Sequence, residues 1–216
     1  MKTITVLISG SGSNLEAIIN ACDTKKIDGE VISVISNNHD AYGLTRAKKF
    51  NINTTVIDHK LYTNRKDFDL ELESLLDQLD SDLIILAGFM RILGEKITKK
   101  FGNKMINLHP SLLPLYPGLN THKKVLDNKD KNHGVSIHYV SGELDGGPLI
   151  AQGIIKVKKN DNLDSLINRV HKIEHILLPE IVRQICLGNI SLNGDRVFYN
   201  NIKLLDKGLI RKTYEI

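Results

Sequence analysis

Five short, nearly continuous apolar runs, at 3–8, 31–36, 54–57, 82–87 and 104–108, punctuate the first half of the chain. Helix-length segments at 14–22, 41–50 and 65–79 separate the first four. A strand that is apolar along its whole length needs cover on both faces, and a helix is the usual connection between two parallel strands. The alternation therefore specifies an α/β fold: one Rossmann-like domain with a mostly parallel, twisted sheet flanked by helices. Beyond residue 108 the pattern changes. A proline-punctuated loop at 109–118 precedes two more apolar runs, 135–140 and 149–157. A long helix is predicted at about 163–187, with Leu166, Val170, Ile173, Leu177 and Ile181 on one face. Short runs at 190–192 and 196–199 around Asn193-Gly194 predict a C-terminal hairpin closed by a type I′ turn.

A length of 216 residues suits one domain, and 41% apolar with 25% charged residues is ordinary globular composition. The net charge of +4 comes with lysines in scattered pairs, which read as solvated faces and not as a nucleic-acid stripe. The absence of tryptophan leaves little for stacking bases. Cys22 and Cys186 lie far apart in sequence among apolar neighbours, so each reads as an inert buried thiol in a reducing compartment. The first residues read as a strand, not a signal-peptide core, and the apolar stretch at 83–90 is far short of a membrane span. A soluble, cytoplasmic protein is expected.

The segment Ser9-Gly10-Ser11-Gly12-Ser13-Asn14-Leu15 follows the first strand and opens the first helix. Helix N-termini offer unpaired N–H groups to anions. A dinucleotide fingerprint would need glycine or alanine at Leu15 and an acid after the second strand, where Ser36-Asn37-Asn38 stands. The Gly-Lys-Ser/Thr of a P-loop is absent as well. Two readings remain open. One is a cradle for a single phosphate; the other is a tight turn with Ser13 or Asn14 capping the helix.

In Ile106-Asn107-Leu108-His109-Pro110, Asn107 and His109 alternate on the end of the fifth strand and so share a face. An amide and an imidazole side by side suit a developing oxyanion, although both could instead be satisfied by turn backbone. The turn Glu143-Leu144-Asp145-Gly146-Gly147-Pro148 supplies a carboxylate on a glycine-rich backbone. Asp145 either reaches His109 or is a solvated turn residue.

Taken together, 8–15 (ISGSGSNL), 87–93 (AGFMRIL), 106–114 (INLHPSLLP), 116–119 (YPGL) and 143–148 (ELDGGP) resemble the phosphoribosylglycinamide formyltransferase family (GAR transformylases) of the folate-dependent formyltransferase superfamily. The likeness runs from the first strand to about residue 187. It implies transfer of a formyl group from 10-formyltetrahydrofolate, as co-substrate and without a metal, to the amine of a phosphoribosyl glycinamide in purine biosynthesis. It implies Asn107, His109 and Asp145 as the catalytic trio, and Gly12, Ser13 and Asn14 as the phosphate cradle. Glu174 and His171 fall on the family's ribonucleotide-contacting helix segment, with histidine where members often carry glutamine. Met90, Arg91, Ile92, Leu93, Asn107 and the loop Ser141, Gly142, Glu143, Leu144, Asp145 match the folate pocket, and Arg65 matches a position near the folate tail. The expected division is a phosphate-binding half at 1–100, a folate and catalytic half at 101–187, and a hairpin tail at 188–216. Small-molecule substrates, no nucleic acid, no membrane and a monomer or homodimer are expected.

His171-Lys172-Ile173-Glu174-His175 also spells the H-x-x-E-H of inverted zinc proteases, which needs a further downstream ligand such as Glu180, Asp195, Asp206 or Glu215. That reading leaves Asn107, His109 and Asp145 without a role. The related methionyl-tRNA formylating and folate-hydrolysing branches carry extra domains, which are not expected here. His39, His59, His122, His133 and His138 read as surface or packing residues.

Overall fold

The computed structural model describes residues 1–204 and 210–216. The elements run β1 (Lys2–Ile8), α1 (Ser13–Asp23), β2 (Gly29–Ser36), α2 (Tyr42–Lys49), β3 (Asn53–Val56), α3 (Arg65–Leu79), β4 (Leu83–Leu86), α4 (Glu95–Phe101), β5 (Met105–His109), α5 (Thr121–Asp127), β6 (Asn132–Tyr139), β7 (Leu149–Lys156) and α6 (Leu163–Cys186). Four short strands follow: β8 (Ile190–Asn193), β9 (Arg196–Tyr199), β10 (Ile202–Lys203) and β11 (Ile210–Thr213). The main sheet has the order β11-β7-β6-β5-β4-β1-β2-β3. Strands β3, β2, β1, β4 and β5 are parallel, β6 runs antiparallel to β5 and β7, and β11 joins β7 in parallel. The α/β, mostly parallel reading therefore holds.

Alternation along β1 divides the interior in two. Ile4, Val6 and Ile8 pack on one side of the sheet with Leu15 and Ile18 of α1 and with Val170, Ile173 and Leu177 of α6. Leu7 faces the other side, where Phe68, Leu72 and Leu76 of α3 meet Ile97 and Phe101 of α4. All five residues expected on the apolar face of α6 are fully buried. That helix starts with a reciprocal cap, in which Asn162 Oδ1 accepts from the Ser165 N–H and Ser165 Oγ accepts from the Asn162 N–H.

The strand order reverses between β1 and β4, and open α/β sheets bind ligands in the crevice outside the carboxyl ends of strands at such a point. The glycine loop leaves β1 there, 88–93 leaves β4, and Asn107 and His109 end β5.

The C-terminal hairpin forms with a turn displaced by one residue. Asn193 pairs with Arg196, so Gly194-Asp195 is the two-residue loop. Only Gly194 has positive φ, at 63°, which excludes the type I′ turn expected at Asn193-Gly194. β10 adds a third strand to this small sheet, and β11 returns to the edge of the main one. Arg169 fixes the end of the chain, its Nε donating to the Ile216 carbonyl at 3.0 Å and its guanidinium pairing with Asp161. Among the described residues, no helix is long and apolar enough to cross a membrane.

Asp82 joins the starts of β1 and β4. Its carboxylate accepts from Lys2 Nζ (2.8 Å), the Thr3 N–H (2.8 Å) and Thr3 Oγ1 (3.0 Å). These donors, Lys2 first, hold the carboxyl down at about 2 against an ordinary 3.8. A depressed carboxyl adds stability above its unfolded value, and this is lost as pH falls through the folded one. Asp82→Asn should therefore lower the urea midpoint at neutral pH, with the gap to wild type closing as pH drops from 3.8 towards about 2. Equilibrium unfolding at several pH values checks this.

Candidate active site

A cleft of about 770 Å³ opens at the strand-order reversal. Its walls carry Gly12, Ser13 and Asn14 from the glycine loop, Met90, Arg91, Ile92 and Leu93 after β4, and Asn107 and His109 from β5. Ser141, Gly142, Glu143, Leu144 and Asp145 come from the β6–β7 loop, and His171 and Glu174 from α6. Arg65 is the exception among the expected site residues. It stands at the start of α3, off the cleft wall, with Nε 3.4 Å from Asp69.

The glycine loop is shaped by close backbone approach. Gly12 has φ 71°, and a Cβ there would fall 2.5 Å from Gly43 Cα. Gly12 occupies the N-cap position of α1, and no side chain caps the helix, so neither Ser13 nor Asn14 plays the capping role. Asn14 instead reaches across to α6, where its Nδ2 donates to Glu174 Oε2 at 2.8 Å. Burial pushes the Glu174 carboxyl up, opposed first by that amide. Asn14 Oδ1 is buried and accepts no hydrogen bond among the described residues. An acceptor in that condition fits a site that a ligand's N–H or O–H completes.

Ser9 ties this loop to the apolar wall. The Met90 N–H donates to Ser9 Oγ at 2.7 Å, and Ser9 Oγ donates to Asn37 Oδ1 at 2.5 Å. Met90, Ile92 and Leu144 are 66%, 56% and 54% exposed, a concentration of apolar surface facing one opening.

At the centre, one carboxylate connects three segments. Asp145 Oδ2 lies 3.4 Å from His109 Nδ1 and accepts from the Gly118 N–H at 2.8 Å, while Oδ1 accepts from Asn107 Nδ2 at 3.3 Å. His109 Nε2 lies 2.9 Å from the Tyr116 carbonyl. Each ring nitrogen thus faces an oxygen acceptor, and a ring carrying both N–H groups satisfies both. The side chains of His109 and Asp145 are 7% and 9% exposed. The loop over them is stitched to the sheet: Ser136 Oγ donates to the Ser111 carbonyl and accepts from the Leu113 N–H, and Gln152 Nε2 donates to the Leu113 carbonyl. The reach of Asp145, left open by the sequence, is towards His109 and not into solvent.

His138, expected to be a surface or packing residue, is buried beside the trio, with Nε2 3.1 Å from Asn107 Nδ2. Periodicity could not find it, because only the register of β5 on β6 sets Asn107 opposite His138. His122 and His133 are also close, Nδ1 to Nε2 at 2.9 Å, and burial holds them at about 4 and about 3. His171 and His175 stack with centroids 6.4 Å apart. Among the described residues, no group of three or more His, Cys, Asp or Glu is arranged to hold a metal, and Asp206 lies outside them. Cys22 is buried as expected, whereas Cys186 is only half-buried; burial pushes both thiols up to about 11.

The chain belongs to the formyl transferase family, whose sequence model matches residues 2–182. It is 42% identical over 205 residues to the phosphoribosylglycinamide formyltransferase of Escherichia coli K12, covering 95% of this chain and 97% of that one. It is 38% identical over 189 residues to the human trifunctional purine biosynthetic protein adenosine-3, covering 88% of this chain and 19% of that protein. Among solved structures, a phosphoribosylglycinamide formyltransferase from Coxiella burnetii superposes with a TM-score of 0.93 at 43% identity, over 97% of this chain and 99% of that chain.

The Asp145 turn depends on Gly147, where a Cβ would fall 1.8 Å from the Tyr139 carbonyl oxygen. Gly147→Ala should cost about 1–3 kcal/mol through overpacking and displace Asp145 from His109. Thermal unfolding read together with turnover checks this; an unchanged melting temperature with full activity would show that the turn tolerates the methyl group.

Proposed function

We propose that this chain transfers the formyl group of 10-formyltetrahydrofolate to the primary amine of N1-(5-phospho-D-ribosyl)glycinamide. The products are the N-formyl ribonucleotide and tetrahydrofolate, a step of de novo purine (IMP) biosynthesis. The observation that carries the reading is the Asn107–Asp145–His109 constellation, with His109 buried and the other two partly buried, set where the glycine loop and an apolar wall meet. Identity of 42% over nearly the full length of the Escherichia coli formyltransferase supports it.

The proposed division of labour follows the cleft. Gly12, Ser13 and Asn14 take the phosphate against the uncapped start of α1, and Glu174 and His171 take the rest of the ribonucleotide. Met90 to Leu93 and Ser141 to Asp145 line the folate pocket, with Arg65 outside the cleft towards the folate tail. In this reading residues 1–100 form the phosphate-binding half, which also lends Met90 to Leu93 to the folate pocket, 101–187 form the folate and catalytic half, which also lends His171 and Glu174 to the ribonucleotide, and 188–216 form the tail. The substrates are small molecules, no nucleic acid takes part, and the protein works in the cytoplasm as a monomer or homodimer.

The substrate nitrogen attacks the formyl carbon, and the carbonyl π pair moves onto oxygen. N–H groups of Asn107 and His109 stabilise that oxyanion, for which they exchange the acceptors they hold in this structure, Asp145 and the Tyr116 carbonyl. The oxyanion then reforms the carbonyl and expels N10. The proton lost by the attacking nitrogen reaches N10 by way of a water that Asp145 positions. No covalent intermediate on the protein is needed. The direct test is incubation with both substrates while tetrahydrofolate is monitored. Absence of tetrahydrofolate formation, or formation independent of the ribonucleotide, would overturn the reading.

Two variants test the assignments. Gly12→Val should raise KM for the ribonucleotide by at least about tenfold while folate binding changes little, because a β-branched side chain is incompatible with the φ of 71° and with Gly43 Cα 2.5 Å from its Cβ, so the loop that offers its N–H groups must shift. Equal loss of both ligands would mark a misfolded turn. Asp145→Asn and His109→Ala should each lower kcat by about 10²–10³ with ligand binding largely kept. The double variant should be little worse than the worse single one, as for groups that act as a unit. Single-turnover rates decide this, and fully multiplicative losses would separate the two residues.

A further inference from the structure

An asparagine beside an oxyanion helps only if it presents nitrogen; turned by half a rotation it presents a carbonyl oxygen and opposes the charge. What fixes the orientation of Asn107 is therefore part of the chemistry. Asn107 and His138 are directly opposed where β5 and β6 run antiparallel. The His138 ring is buried, and its Nδ1 lies 2.8 Å from the Tyr139 carbonyl, an atom that only accepts. Nδ1 therefore carries the proton. Burial opposes a second one and outweighs the Tyr139 carbonyl and Asp145, whose Oδ1 lies 3.8 Å from Nε2, which leaves a lone pair on Nε2, 3.1 Å from Asn107 Nδ2. The Tyr139 carbonyl is itself walled in by Gly147, from the same turn that carries Asp145.

We propose that His138 is a positioning residue, whose bare Nε2 takes one amide proton of Asn107 and so directs the other towards the formyl oxygen. In this structure the second proton reaches Asp145 Oδ1 at 3.3 Å, the longer of the two contacts and the one to be exchanged for the oxyanion. With its proton on Nε2 instead, the ring would draw in Asn107 Oδ1 and turn the amine out of the site. The catalytic half of this inference rests on the formyl-transfer reading above; the tautomer and the amide orientation rest on the geometry alone.

Two measurements test it. Two-dimensional NMR of protein carrying ¹⁵N-labelled histidine reports the His138 tautomer without reference to activity. A ring protonated at Nδ1 only is expected at neutral pH, and a proton on Nε2 overturns the proposal. In the second, His138→Leu removes the acceptor at similar volume, while His138→Gln keeps an acceptor near the Nε2 position. His138→Leu should lower kcat by about 10²-fold, as loss of one oxyanion donor does, with both KM values within about threefold. His138→Gln should recover about tenfold or more of that loss, and Asn107→Ala added to His138→Leu should cost little further. Multiplicative losses with Asn107→Ala, or a His138→Leu kcat close to wild type, would overturn the positioning role. A wild-type protein inactive in formyl transfer would instead overturn the function reading, while the NMR result would still decide the tautomer.

Discussion

Asp145 is a buried carboxylate that accepts from Asn107 on β5, lies against His109 at the end of that strand, and accepts from the backbone of Gly118 in the loop beyond. A carboxylate taken out of water at this depth is tolerable only when nearly every lone pair has a donor. That requirement links the β6–β7 turn, the end of β5 and the 110–118 loop into one unit. It also accounts for the backbone of the turn. Asp145 itself sits at φ 50°, an uncommon conformation for a residue with a side chain, and Gly147 lets the turn close onto Tyr139.

Around that carboxylate the cleft divides by polarity. On one side the glycine loop, Asn14 and Glu174 present N–H groups, a buried carbonyl acceptor and a buried acid. On the other, Met90, Ile92 and Leu144 present apolar surface. Ser9 spans the two through the Met90 N–H and Asn37, so a shift in the glycine loop is felt by the apolar wall. The proposed substrates, one phosphorylated and polar and the other flat and aromatic, ask for such a division, and Asn107 and His109 stand at its boundary.

Much of this was legible in the sequence, and the parts that were share a cause. Leu166, Val170, Ile173, Leu177 and Ile181 marked the buried face of α6 because helical side-chain direction repeats every 3.6 residues. Asn107 and His109 could be set on one face because strand direction repeats every two. The displaced hairpin turn shows where such reasoning stops: Asn193-Gly194 has the right chemistry for a type I′ turn, yet the pairing of Asn193 with Arg196 moved the loop to Gly194-Asp195. Cross-strand pairing outweighed the local preference.

By itself the sequence determined β1 to β9 and the helices α1, α2, α3 and α6, but not α4, α5, β10 or β11. It also determined the glycine that only a positive φ and a close backbone contact require, and the presence of an amide and an imidazole at the end of β5 with a carboxylate in a nearby turn. Tertiary structure decided which of them touch. That β6 enters antiparallel and sets His138 opposite Asn107, that Asn14 meets Glu174 from 160 residues away, and that Arg65 stays off the cleft wall all depend on strand order and register. Local periodicity orients a side chain relative to its own backbone. Only packing of the whole sheet, with every buried polar group seeking a partner, fixes one backbone relative to another.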